Sequence, residues 1–181
     1  TYTTSNWVEG VVNVLDDATF NYTAAAYCVD ATDPIPSITG LAGGTFSSGV
    51  GLSINVSTGV IDVSASTPGL HTITYLTAGT CPNSSDVSVT INALPVVAFT
   101  APADLRVDAG VQAGEGGGTP SGGTYSGAGV TDNANGTDYD FDPATAGVGV
   151  HTLTYTYTDA NGCPNSSDVS VTINALPVVA F

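Results

Sequence analysis

Nineteen consecutive residues occur twice in the chain, and this repeat constrains the fold more than any other feature of the sequence. Residues 81–99 and residues 163–181 both read CPNSSDVSVTINALPVVAF. Upstream of the two copies, GLHTITY at 69–75 corresponds to GVHTLTY at 149–155. A repeat with a period of about 80 residues indicates tandem modules of one architecture, each of which is a supersecondary or domain-sized unit.

Both modules have the sequence pattern of short β-strands. Residues 86–91 alternate polar and apolar side chains, which is the period-two pattern of a half-buried strand. Gly, Pro, Asn and Asp separate the apolar segments at intervals of about ten residues, and no helical period extends beyond two turns. About seven short antiparallel strands per module predict an all-β fold in which each module is an immunoglobulin-like β-sandwich.

The repeat also predicts how the chain is divided. ALPVVAF opens the second module and recurs at the end of the sequence, where it has the pattern of the first strand of a further module. The first residues, around Trp7, resemble the last hairpin of an earlier module. We therefore expect a terminal hairpin or donated segment at 1–17, module 1 at 18–93, module 2 at 94–175, and an orphan strand at 176–181.

The orphan strand is apolar, and an exposed apolar strand edge pairs readily with other chains. Its residues are Leu176, Pro177, Val178, Val179, Ala180 and Phe181. Two alternatives stay open: the sequence is a window of a longer tandem array, or this strand is donated to the next copy of the chain. Head-to-tail donation does not close and therefore generates a filament. Both alternatives predict a thread of β-sandwiches, and the second makes copies of the chain its own partners.

Three cysteines divide unequally between the modules. Cys28 begins module 1 and Cys81 follows its penultimate strand, so we expect a Cys28–Cys81 disulfide and, with it, an oxidising compartment. Cys163 aligns with Cys81, but Arg106 stands where Cys28 would correspond. Cys163 is therefore expected to lack a partner in its module, either as a quiet half-buried thiol or as a link between chains.

Longer motifs in both modules carry a family resemblance. Module 2 contains APADLRVDAGVQAG, GGTPSGGTYSGAGV and YDFDPATAGVGVHTLTYTYTDANGCPNSS, and module 1 runs from CVDATDPIPSITG to TAGTCPNSS. Over about residues 18–175 the chain resembles the tandem immunoglobulin-like repeats of very large secreted surface proteins of Bacteroidota. Those repeats usually carry Cys where Arg106 stands. The resemblance implies secretion, cell-surface display and an adhesive or fibre-like role without enzymatic activity.

The charge of the chain excludes several classes of partner. The chain contains one Lys or Arg and sixteen acidic residues, which give a formal net charge of −15. A single cation cannot neutralise a nucleic-acid backbone or attract an anionic lipid surface. The sequence also has no apolar segment long enough for a membrane-spanning helix. It contains no nucleophile elbow, paired metal-ligand histidines or phosphate loop, so we expect no enzyme and no cofactor other than a metal ion.

The densest acidic segment is the candidate Ca²⁺ site, because Ca²⁺ prefers crowded oxygen ligands. Its carboxylates are those of Asp132, Asp138, Asp140 and Asp142. The alternative is the solvated face of a strand, since acidic and aromatic residues alternate here. Asp16, Asp17, Asp104 and Asp159 are a second, weaker set of candidates.

Sugars enter the prediction in two ways. Five Asn-x-Ser/Thr triplets are candidate glycosylation sites, at Asn21, Asn55, Asn83, Asn135 and Asn165. The alternative function to a structural thread is an adhesive module that binds carbohydrate or a host protein through its loops. Trp7 and Tyr125 are the aromatic residues in loop-like positions that such binding would use.

Overall fold

The computed structural model describes residues 14–178, and nearly all of its regular structure is β-strand. The chain divides into two compact units, with the boundary between Asn92 and Ala93. The prediction of an all-β fold is confirmed. No helix in residues 14–178 has the length and apolar character to cross a membrane.

Module 1 is built from eight strands. They are β1 Phe20–Asn21, β2 Ala26–Cys28, β3 Ser37–Ile38, β4 Thr45–Ser48, β5 Ser53–Ile54, β6 Ile61–Asp62, β7 Gly69–Leu76 and β8 Ser84–Asn92. One sheet has the order β2-β8-β7-β4, and two smaller sheets are formed by β1 with β3 and by β5 with β6. All pairs are antiparallel except β2 with β8, which is parallel.

Module 2 repeats this plan with seven strands and one helical turn. They are β9 Leu105–Arg106, β10 Gln112–Glu115, β11 Thr124–Gly127, β12 Val130–Asp132, β13 Tyr139–Phe141, α1 Pro143–Ala146, β14 Gly149–Thr158 and β15 Pro164–Asn174. One sheet has the order β11-β14-β15-β9 and the other β10-β13-β12. The first strand of the larger sheet again runs parallel to the last, as β9 does to β15.

Each module encloses a core of its own, to which more than one of its sheets contributes. In module 1 the buried residues are Ala18, Phe20, Tyr22, Phe46, Ile61, Val63, Ile73, Tyr75, Val89 and Ile91. In module 2 they are Phe99, Tyr125, Tyr139, Phe141, Leu153, Tyr155, Val171 and Ile173. The long hairpins β7–β8 and β14–β15 alternate buried and exposed residues, because successive side chains of a strand point to opposite faces.

Candidate assembly site and cysteine positions

The segment that opens module 2 shows what ALPVVAF does when it is folded. Ala98 and Thr119 exchange backbone hydrogen bonds of 2.9 and 2.8 Å. The Phe99 ring is buried against Tyr125 and Tyr139, at centroid distances of 5.4 and 6.1 Å. Burying a phenylalanine ring of this kind contributes about 2–3 kcal/mol. The opening segment is therefore an anchored part of the sandwich.

An asparagine of the last hairpin fixes the start of this opening segment. Asn165 Nδ2 donates to the carbonyl oxygen of Pro95 at 2.8 Å. The equivalent Asn83 Nδ2 donates to the carbonyl oxygen of Asp16 at 3.1 Å in module 1. Sequence analysis missed this contact and assigned both residues only as glycosylation candidates. The signal was present, because both asparagines lie in the repeated sequence CPNSS.

The described part of the second copy of ALPVVAF, residues 175–178, differs from the first copy at an apolar position. Leu176 is 49% exposed, whereas its equivalent Leu94 in module 2 is partly buried. Val178 and its equivalent Val96 are both exposed, at 95% and 89%. Val179, Ala180 and Phe181 of the predicted assembly strand lie outside the described residues. The described part of this segment thus presents apolar side chains to solvent.

In module 1 the corresponding position is filled by the chain's own residues. Leu41 N donates to the carbonyl oxygen of Asp17 at 2.7 Å, and Asp16 N donates to the carbonyl oxygen of Cys81 at 2.9 Å. Ala18 and Phe20 are buried in the core. Asp16 and Asp17, which the sequence grouped with a terminal hairpin, therefore contact module 1. The rest of that predicted hairpin, residues 1–13 with Trp7, lies outside the described residues.

The predicted Cys28–Cys81 disulfide is wrong, because Cys81 is a free thiol. The strand geometry gives the reason. Cys28 lies beside Asn92, at the end of β8, whereas Cys81 lies in the turn that precedes Ser84, at its start. At about 3.3 Å per residue the eight steps from Ser84 to Asn92 span about 26 Å. Disulfide-bonded cysteines have Cα atoms about 4.4–6.8 Å apart.

The expectation of a quiet thiol at Cys163 is also wrong, because Cys163 is disulfide-bonded, as is Cys28. Cys163 is fully buried. Arg106 lies beside Asn174, at the far end of β15 from Cys163. A cysteine at position 106 would thus not reach Cys163 within module 2, and the arginine does not explain the state of Cys163.

The candidate Ca²⁺ residues lie in and around the β12–β13 hairpin, where donors of the chain occupy their carboxylates. Asp138 accepts a hydrogen bond from Asn133 Nδ2 at 2.6 Å, and Asp140 accepts one from Gly114 N at 3.0 Å. The hydrogen bond from Asn133 is the main cause that lowers the pKa of Asp138. Among residues 14–178 no three His, Cys, Asp or Glu side chains form a group that could hold a metal.

The remaining two members of that set have local structural contacts. Asp142 is the N-cap of α1 and accepts from Ala144 N at 3.0 Å and from Thr145 Oγ1 at 2.6 Å. The hydrogen bond from Thr145 is the main cause that lowers the pKa of Asp142. Asp132 accepts from Tyr125 N at 3.2 Å. The sequence did not indicate the capping contact.

The predicted loop aromatic Tyr125 is a core residue. It is buried, its ring lies 4.6 Å from that of Tyr155, and its hydroxyl donates to the carbonyl oxygen of Thr137 at 3.0 Å. The interpretation of Tyr125 as a loop platform for sugars is wrong, because the alternation along β11 turns this ring inward. Among the glycosylation candidates, Asn21, Asn55 and Asn135 are exposed.

Comparison with known proteins identifies no family for the chain. No protein-family model matches it, and no curated protein matches it in sequence. Among solved structures, 86% of the chain aligns with 47% of a protocadherin gammaB7 EC3-6 cis-dimer structure, at 16% identity and a TM-score of 0.29. It aligns over 90% of its length with 68% of mouse cadherin-23 EC22-24, at 15% identity and a TM-score of 0.29. A protocadherin gammaB4 extracellular domain matches at 16% identity over 89% of this chain and 34% of that one, with a TM-score of 0.32.

The chain thus spans about half the length of the first of these structures. TM-scores near 0.3 carry no argument about what the chain binds or assembles with. The assignment of the fold depends instead on its own strands, with parallel first and last strands in the larger sheet of each module.

Proposed function

We propose that the chain is a structural repeat unit of an extracellular bacterial surface filament or giant adhesin. In this proposal the sandwiches follow one another head-to-tail as a thread, and the chain has no enzymatic role. The partner is another copy of the chain or a neighbouring module of the same kind. The proposal includes β-strand donation by residues 176–181 as the means by which separate copies join.

One observation carries the proposal. Residues 93–99 form the opening segment of module 2, anchored by the Ala98–Thr119 bridge, by the Asn165 contact and by the buried Phe99 ring. Residues 175–181 have the same sequence, and Leu176 is 49% exposed where its equivalent Leu94 is partly buried. The described start of this segment is therefore open to solvent, and its sequence is that of an opening strand, which supports its use by another module.

The energetics set a condition on donation between copies. Burying Phe181 as Phe99 is buried would contribute about 1.5–3 kcal/mol before the entropy of association. Val179 would add less, because its equivalent Val97 is partly buried, and Val178 would add little, because its equivalent Val96 is 89% exposed. In module 1, however, Asp17, Ala18 and Phe20 already occupy the opening position. A donated strand must displace that segment or add beside it. Continuation of the same polypeptide into a following module needs no displacement.

Oxidised cysteines support an extracellular location. Cys28 and Cys163 are disulfide-bonded, and structural disulfides persist in secreted and surface proteins. The outer faces of the long hairpins add uncharged hydroxyl groups, such as those of Thr152 and Ser170. These features fit an exposed spacer module in an oxidising environment.

Deletion of residues 175–181 tests strand donation. By negative-stain microscopy and light scattering, we expect filaments for the full chain and folded monomers for the truncated chain, because the deletion removes only the segment after β15. Phe181→Ala is the matched point variant, since it removes the ring equivalent to the buried Phe99 and keeps the backbone. It should weaken assembly without changing the melting temperature of either module.

Two outcomes would contradict strand donation. Filaments that persist without residues 175–181 would show that the chain joins through another surface. Monomers for both chains would exclude self-assembly and leave the covalent tandem thread. The alternative function, an adhesive module that binds sugars or a host protein through its loops, has lost the Tyr125 platform, and no observation in residues 14–178 favours it.

A further inference from the structure

The opening segments of the two modules can be compared residue by residue. Asn83 Nδ2 donates to the carbonyl oxygen of Asp16 at 3.1 Å. The equivalent Asn165 Nδ2 donates to that of Pro95 at 2.8 Å, so Asp16 and Pro95 hold the same position. Four residues further on, each segment reaches its buried phenylalanine. Differences between the segments at equivalent positions therefore show what each module accepts as an opening strand.

The first difference is a backbone donor. Asp16 N donates to the carbonyl oxygen of Cys81 at 2.9 Å, and Pro95 has no N–H with which to do the same. Module 2 supplies the equivalent carbonyl, that of Cys163, from Asp159 N at 3.1 Å. Module 1 thus uses an N–H of its opening segment at this position, whereas module 2 uses a donor of its own hairpin turn.

The second difference is the size of a core side chain. Ala18 is 3% exposed in module 1, whereas its equivalent Val97 is partly buried against the core of module 2. Extra methyl groups in a packed core force side chains and backbone out of place. A segment with valine at this position therefore fits the opening position of module 2 and is too large for that of module 1.

The segment after β15 has the residues that suit module 2. Pro177 corresponds to Asp16 of module 1, and the valine two residues later corresponds to Ala18. On module 1 this segment would leave the carbonyl of Cys81 without its donor and would place valine where alanine is buried. On module 2 it would repeat the contacts of residues 93–99, because the two sequences are identical.

Pro177 cannot reach the position of Pro95 in its own module. That position lies beside Asn165, nine residues before Asn174 along β15, which is about 30 Å at 3.3 Å per residue. Pro177 follows Asn174 by three residues, and these extend over about 11 Å at most. A module 2 that accepts this segment must therefore belong to another copy of the chain.

We propose that residues 175–181 of one copy enter module 2 of the next copy, where they displace the identical residues 93–99, and that module 1 does not accept them. This inference rests on the proposed strand donation and names its acceptor. The exchange replaces each contact in the acceptor by the same contact, while the acceptor's own segment keeps the advantage of its covalent link. Weakening residues 93–99 should therefore favour the donated strand.

Phe99→Ala in the full chain tests the acceptor. It removes the anchoring ring of residues 93–99 and leaves Phe181 in the donor, so only the donated strand can fill the core. We expect assembly, measured by light scattering, to begin at a concentration at least about tenfold lower than for the unsubstituted chain. Phe20→Ala is the matched variant in module 1 and should not lower this concentration.

A second substitution separates strand exchange from aggregation of a weakened module. Phe99→Ala combined with Phe181→Ala should lose the promoted assembly, because neither segment then carries the ring. Hydrogen exchange on residues 149–158 should show that assembly restores the protection that Phe99→Ala loses at low concentration. Promotion by Phe20→Ala, promotion that survives Phe181→Ala, or no promotion by Phe99→Ala would each overturn the proposal.

Rejection by module 1 has a test that does not depend on assembly. Asp16→Pro with Ala18→Val places the two residues of the donated strand in module 1 itself. Hydrogen exchange on residues 69–76 should become at least about tenfold faster, while Thr19→Ala, at a position exposed in both modules, should change it little. Unchanged protection in the double variant would contradict rejection by module 1.

Two results distinguish the acceptor from the proposed function. Filaments that need residues 175–181 but are not promoted by Phe99→Ala would support strand donation and overturn module 2 as its acceptor. Assembly of Phe99→Ala that depends on Phe181, in the absence of filaments from the unsubstituted chain, would support the acceptor and contradict strand donation by the unsubstituted chain.

Discussion

Each module packs a tyrosine ring edge-on against a core phenylalanine, but the tyrosine comes from a different strand region in each module. In module 1 the ring of Tyr22, just after β1, lies edge-on to Phe20 at 6.1 Å and 79°. In module 2 the ring of Tyr139, on β13, lies edge-on to Phe99 at 6.1 Å and 77°. Ile61 stands on β6, at the place in module 1 that corresponds to Tyr139. The core keeps its ring contact while the residue that supplies it changes.

The hydroxyl groups of these two tyrosines differ in their hydrogen bonding. Tyr22 Oη donates to the carbonyl oxygen of Gly59 at 2.5 Å. Tyr139 Oη is buried and has no hydrogen-bond partner within residues 14–178. An unpaired buried hydroxyl costs about 1–3 kcal/mol. The two cores therefore differ in the hydrogen bonding of their phenol groups, and the free-energy cost of the unpaired hydroxyl falls on module 2.

The largest expected effect tests whether the shared contact is equally important in both modules. Phe20→Ala and Phe99→Ala should each destabilise their own module by about 3–5 kcal/mol, because each removes a ring at the centre of the core. Hydrogen exchange read on peptides 69–76 and 149–158 assigns the loss to a module, since the sequences of these strands differ.

Two exposed residues at equivalent positions provide the control for this measurement. Leu70 and Val150 are each 71% exposed on the central hairpins. Leu70→Ala and Val150→Ala should change stability by less than about 0.5 kcal/mol. Loss of protection in both modules after Phe20→Ala would contradict the description of two separate cores.

A smaller effect distinguishes the two phenols by its sign. Tyr22→Phe should cost about 1–2 kcal/mol, because it leaves the carbonyl of Gly59 without its donor. Tyr139→Phe should be neutral or stabilising by up to about 1 kcal/mol, because it removes a hydroxyl without a partner. Denaturant unfolding of the two variants measures both changes. A destabilising Tyr139→Phe would mean that this hydroxyl has a partner in solution.

The sequence was sufficient for the fold but not for the cysteine pairing. Alternation along 86–91 and the repeat predicted strands and modules, because both signals are local or directly comparable between copies. The prediction of the Cys28–Cys81 disulfide was wrong because the pairing depends on which end of β8 each cysteine lies beside. Cys28 lies at its far end only because β2 pairs in parallel with β8. Strand direction of this kind is a long-range property without a local signal.

The candidate site residues were predictable to a similar degree. The importance of ALPVVAF followed from its recurrence, but the contact from Asn165 to Pro95 joins segments about 70 residues apart. The acidic segment was found from composition, yet the capping role of Asp142 depends on the turn α1 that follows it. Sequence patterns located these segments, and only the fold decided their contacts.

The smallest effect concerns alkaline pH and returns to the unpaired phenol. Burial, with smaller contributions from Glu115 and Tyr125, raises the pKa of Tyr139 to about 12. A raised pKa in the folded state gives stability that is complete below the unfolded pKa of about 10 and is lost as the pH rises through 12. Between pH 9 and pH 11 the chain should therefore lose up to about 1 kcal/mol through Tyr139, and Tyr139→Phe should remove that share of the loss. Burial also raises the pKa of Tyr22, which remains in the variant. The alkaline loss of stability that the variant keeps is therefore the share of Tyr22, for comparison within one molecule. Equal losses in the unsubstituted chain and in Tyr139→Phe would show that Tyr139 is not buried as a neutral phenol.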